Sequence, residues 1–92
     1  MSAKVTILYP HLLQVTNNQS EVPVEGSTVG QCLDDLVRKF PDMQDKIFDD
    51  GKLISFVDIY VNRESTYSEP EPLKHPIKEG DEILIALLLA GG

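Results

Sequence analysis

The segment Glu82 to Leu88 constrains this chain most, because after Glu82 every residue is apolar, in the order Ile-Leu-Ile-Ala-Leu-Leu. Six apolar residues in a row read as a β-strand buried on both faces. Such a strand needs neighbours on both edges, so it belongs at the centre of a sheet. The apolar run extends only from Ile83 to Ala90, far short of the roughly 20 residues that cross a bilayer.

Three other segments have the strand period. Lys4 to Tyr9 alternates Val5, Ile7 and Tyr9 against Lys4, Thr6 and Leu8, and Pro10 closes it. Glu21 to Glu25 places Val22 and Val24 on one side, and Pro23, which has no N–H to give a ladder, assigns this strand to an edge. Phe56 to Val61 sets Val57, Ile59 and Val61 against Asp58 and Tyr60. Between Pro41 and Leu53 a short helical turn and a turn at Asp49-Asp50-Gly51 are expected.

One segment has the helical period instead. Val29, Cys32, Leu33, Leu36, Val37 and Phe40 recur at offsets of three and four. Thr28 followed by Gln31 matches a capping box, Arg38 and Lys39 suit the negative end of the helix dipole, and Pro41 stops the helix. The fold class expected is α+β, a mixed sheet of four to five strands with one main helix packed across it. The last strand would lie beside the first through a right-handed crossover. With 92 residues, 41% of them hydrophobic, one core and one domain over residues 1–92 are expected, with 87–92 as a flexible tail.

The chemistry concentrates at Gly91-Gly92. Glycine lacks Cβ, so this pair can enter a narrow channel and leave a carboxylate open to attack. Chance alone places two glycines there in roughly 1 of 200 chains. Elsewhere catalytic and metal residues are not apparent. Cys32 falls on the apolar stripe of the helix, His11 and His75 stand in separate loops without a second ligand at metal spacing, and no nucleophile and base are paired. The chain reads as a non-enzyme with no metal site and no stably bound cofactor.

A formal net charge of -7 disfavours nucleic acid and anionic membranes and favours a partner with a basic docking surface. Asp34 with Asp35, and Glu79 with Asp81 and Glu82, are the candidate acidic contacts. A lone cysteine and the absence of a secretory signal at the start point to a cytoplasmic setting.

The segments TVGQCLDDLVRKFPDM at 28–43, IYVN at 59–62, IKEGDEILI at 77–85 and AGG at 90–92 together resemble the MoaD/ThiS family of ubiquitin-like sulfur carriers. The resemblance implies a ubiquitin-like β-grasp fold. It also implies that Gly92 is adenylated by a ubiquitin-activating-type enzyme that uses ATP and becomes a thiocarboxylate for a downstream sulfur-accepting synthase. Leu87, Leu88, Leu89, Ala90 and Gly91 match the positions that guide the tail into a partner. Small subunits of molybdopterin synthase commonly carry prolines before AGG, where this chain has Ala86-Leu87-Leu88-Leu89. The stretch from Phe40 to Asn62 looks more like carriers serving cysteine, cofactor or small-metabolite biosynthesis. The alternatives are a molybdopterin synthase subunit, a modifier joined to lysines through Gly92, and a plain interaction domain.

Overall fold

In a computed structural model that describes residues 1–88, the alternating first segment forms β1 (Ser2–Ile7), burying Ala3, Val5 and Ile7. Pro10 does more than end it. With its φ already set for a helix, it opens the single turn α1 (Pro10–Leu13), which seats Leu12 in the core. Asn17 and Asn18, both at positive φ, then reverse the chain into β2 (Glu21–Glu25).

Helix α2 (Val29–Lys39) buries Val29, Cys32, Leu33 and Leu36 completely. Its capping box is shifted by one residue on one side. Thr28 Oγ1 accepts from the Gln31 N–H at 3.1 Å, but the Gln31 side chain reaches back to the Ser27 N–H at 2.8 Å rather than to that of Thr28. Gly26 is needed just upstream, since a Cβ there would stand 2.8 Å from the Cys32 backbone nitrogen.

After α2 a 3₁₀ turn (Pro41–Met43) leads into α3 (Gln44–Ile47) and a two-residue hairpin, β3 (Phe48–Asp49) and β4 (Lys52–Leu53), around the expected Asp50-Gly51 turn. Then come β5 (Val57–Val61), β6 (Glu64–Ser65), a 3₁₀ turn (Pro72–Lys74) and β7 (Glu82–Leu87).

Five strands make one mixed sheet in the order β2-β1-β7-β5-β6. β7 lies parallel to β1 and antiparallel to β5, and β2 with its proline occupies an edge. The central placement of the last strand, the edge placement of the second and the β-grasp architecture are as expected.

One expectation is overturned: β7 is not buried on both faces. Ile83 and Ile85 are sealed on the side of the core, whereas Leu84 and Ala86 on the opposite face are half-buried. The reason is that α2 supplies only one covering layer. The register sets Thr6, Leu84 and Tyr60 in one row of the open face and Asp58 beside Ala86 in the next.

Candidate functional site

The site begins where β7 runs out of partners. β1 ends at Ile7 because the chain turns into α1, so the Leu87 N–H has no strand beside it. The hydroxyl of Tyr9 fills that position and accepts from the Leu87 N–H at 3.1 Å. On the other side the Leu88 N–H donates to the Phe56 carbonyl at 2.7 Å, one residue beyond the Val57–Leu87 pair. The last two described residues are thus held from both sides by one hydrogen bond each.

The surface around them is apolar. Leu8 is 58% exposed, Phe56 49% and Leu88 38%, and by register all three stand at the same end of the sheet as Ala86. Leu88 turns outward as strand alternation requires, while Leu87 packs against the core. A grouping of this kind on an acidic chain is suited to covering by another surface. Leu89, Ala90, Gly91 and Gly92, the remaining candidate residues, lie outside the described residues.

Tyr9, Phe56 and Leu8 were not singled out from sequence. Tyr9 reads there as one more inward residue of the first strand, and it is in fact the extended N-cap residue just before α1. Cys32 lies in the core as expected, and burial pushes its thiol pKa up, away from nucleophilic chemistry. His75 is half-buried and pairs with Glu69 at 2.8 Å.

The acidic candidates separate by environment. Burial of Asp35 acts to raise its pKa, but hydrogen bonds from Arg38, the Glu25 N–H at 2.9 Å and Lys39 outweigh that and hold it below the usual carboxylate range. It ties β2 to α2 and is not available as a docking charge, which corrects that expectation. Asp81 is likewise held low, chiefly by the Asn62 side-chain amide at 3.0 Å and by the Lys78 N–H at 2.7 Å. Among the described residues no group of three or more metal-ligating side chains is assembled, and no helix is long and apolar enough to cross a membrane.

The ThiS family profile matches residues 7–92, nearly the entire chain. The chain belongs to the ThiS family. Its architecture is that of the ubiquitin-like sulfur carriers of the MoaD/ThiS type, and solved structures agree. This ThiS-family chain is 27% identical to CysO-type protein in the Amycolatopsis orientalis BexX/CysO complex, with a TM-score of 0.85 over 98% of this chain and 99% of that one. It is 29% identical to Mycobacterium tuberculosis CysO, with a TM-score of 0.83 over 95% and 99% of the two chains. SAMP1 from Haloferax volcanii is 26% identical, with a TM-score of 0.82 over 100% of both. No curated protein sequence matches the chain.

Proposed function

We propose that this chain carries sulfur as a thiocarboxylate on Gly92. In the first step a Gly92 carboxylate oxygen attacks the α-phosphorus of ATP in a ubiquitin-activating-type enzyme, expelling pyrophosphate and leaving an acyl-adenylate. In the second, a sulfur nucleophile attacks the Gly92 carbonyl carbon. With hydrosulfide as that nucleophile, AMP leaves with its bridging oxygen and loss of the S–H proton gives the thiocarboxylate. A downstream synthase then takes the sulfur for cysteine, cofactor or small-metabolite biosynthesis. ATP is a substrate of the partner and not a ligand of this chain.

The observation that carries this reading is the placement of Leu88 at an apolar rim with Leu-Ala-Gly-Gly joined directly to it. Four extended residues reach at most about 14 Å, enough to bring Gly92 into an enzyme pocket while the rim rests on the enzyme surface. Membership in the family and the likeness to CysO, one example of which was solved in complex with BexX, support the same reading.

Intact-mass measurement of the protein from its own host tests it. A mass gain equal to the replacement of one oxygen by sulfur, located in a fragment that excludes Met1 and Met43, is the expected result. A mass that never changes, with no adenylate formed alongside ATP and the host's activating enzymes, would refute it. The likeness to SAMP1, a small archaeal modifier protein, favours a second reading in which Gly92 is joined to lysines. That reading predicts higher-mass conjugates that resist thiol reagents.

A further inference from the structure

Along β7 the backbone groups of the even-numbered residues face β5, as shown by the Leu88 N–H on the Phe56 carbonyl and the Asn62 N–H on the Glu82 carbonyl. Those of the odd-numbered residues therefore face β1. That strand has ended at Ile7, which pairs with Ile85, so the Leu87 N–H has no strand to meet. The Tyr9 hydroxyl accepts from it at 3.1 Å instead.

Tyr9 is itself fixed. Pro10 restricts it to extended backbone, observed at φ -91° and ψ 132°. Its carbonyl accepts from the N–H groups of Leu12 at 3.0 Å and Leu13 at 2.9 Å. Its side chain packs against the core, with the His11 ring centroid 6.1 Å from its own. The single turn α1 thus anchors the residue on which the end of β7 depends. A hydroxyl anchored in this way gives Leu87 a bond of set direction, whereas the side chains of Leu8, Phe56 and Leu88 offer only apolar surface.

We infer that Tyr9 is a positioning residue for the chemistry at Gly92: through the Leu87 N–H, its hydroxyl fixes the line along which the chain leaves the sheet. This role rests on the proposed activation of Gly92 by a partner enzyme. Held on the β5 side alone, the strand end would hinge about that edge. Five extended residues from Leu87 to Gly92 span at most about 17 Å, so a hinge of about 10° at Leu87 would sweep the end through about 3 Å. Fixing the backbone of one residue costs a factor of about 5 to 30 in an equilibrium constant. Tyr9 meets part of that cost before the partner arrives. Its effect therefore falls on KM, because the groups that adenylate Gly92 belong to the enzyme and are the same once the tail is seated.

Pyrophosphate released by the host's activating enzyme, measured against the concentration of this chain, tests the assignment. At a temperature where unfolding curves show every variant folded, Tyr9→Phe should raise KM about fivefold and leave kcat within about twofold. Leucic acid incorporated at position 87 replaces the N–H by an ester oxygen and leaves the tyrosine in place. It should raise KM equally, add nothing when combined with Tyr9→Phe, and serve as the test if Tyr9→Phe misfolds. Asn62→Ala, which loosens the other end of β7, should leave KM unchanged. An unchanged KM in both variants of the Tyr9–Leu87 bond, a fall in kcat alone, additive effects, or an equal rise in KM with Asn62→Ala would overturn the role of Tyr9 while activation of Gly92 stands. If the unaltered chain releases no pyrophosphate with the host's activating enzymes, both fall.

Discussion

The two ends of β7 are built from opposite materials. At its start Asp81 holds the Asn62 side-chain amide and the Lys78 N–H, the Asn62 side-chain Oδ1 accepts from the Glu82 N–H at 3.0 Å, and the Lys4 N–H donates to the Asp81 backbone carbonyl at 3.0 Å. At its finish one tyrosine hydroxyl and one carbonyl hold Leu87 and Leu88 among exposed hydrocarbon. Directional polar bonds at the start fix the register, which in a strand decides which side chains face the core. Undirected apolar surface at the finish stabilises little in the free chain and is available to a partner.

If that division holds, the two ends should fail differently. Removing Gly92 should abolish the thiocarboxylate altogether, by intact mass, and leave the unfolding midpoint unchanged. Asn62→Ala at the other end removes two side-chain hydrogen bonds and places alanine at a φ of 51°. It should cost about 2 kcal/mol in urea unfolding without preventing adenylation of whatever remains folded.

Acid should act on the start, and on the junction of α2 with β2 that Asp35 holds, but not on the finish. Asp81 and Asp35 are both held below the ordinary carboxylate range, so the stability they contribute is complete above the unfolded pKa of about 3.9 and disappears as pH falls through their folded values. Unfolding measured against pH should show that loss, and Asp81→Asn should make it shallower. Tyr9→Phe leaves the Leu87 N–H without its acceptor and should cost about 1 kcal/mol, seen also as faster hydrogen exchange at Leu87. Leu88→Ser should change stability by under about 0.5 kcal/mol yet slow adenylation by the partner. A large stability loss there would mean that the finish belongs to the core after all.

The sequence reading succeeded where a pattern ran long enough to repeat. α2 has eleven residues, three turns of apolar period and a capping signal. β2 was placed at an edge by one missing N–H. It missed α1, β6 and the β3–β4 hairpin, elements of four and two residues in which no period can be counted. It overstated the burial of β7 because a run of leucines and isoleucines looks the same whether one face or two are covered. Asp35 and Asp34 are adjacent and alike in sequence, and only the geometry of α2 against β2 shows that the first is engaged by Glu25, Arg38 and Lys39. At the site, Leu87, expected in a flexible tail, is the last residue of β7, and positions 89–92 lie outside the described residues. Tyr9 and Phe56 could not be named from sequence, because their part depends on where β1 and β5 stop relative to β7.

The parallel pairing of β1 with β7 also has a consequence for how the protein is made. β1 leaves the ribosome before every other strand of the sheet, and β7, which must lie beside it, follows all the others. Until then β1 with β2 and β5 with β6 are separate pieces with no strand to join them, and α2 has only part of a surface to cover. Contacts so distant along the chain make folding slow relative to helical proteins of this size. A chain cut short before Ile85 would therefore be unfinished as a fold and exposed to proteolysis. Completion of the sheet and assembly of the apolar rim around Leu88 are the same event.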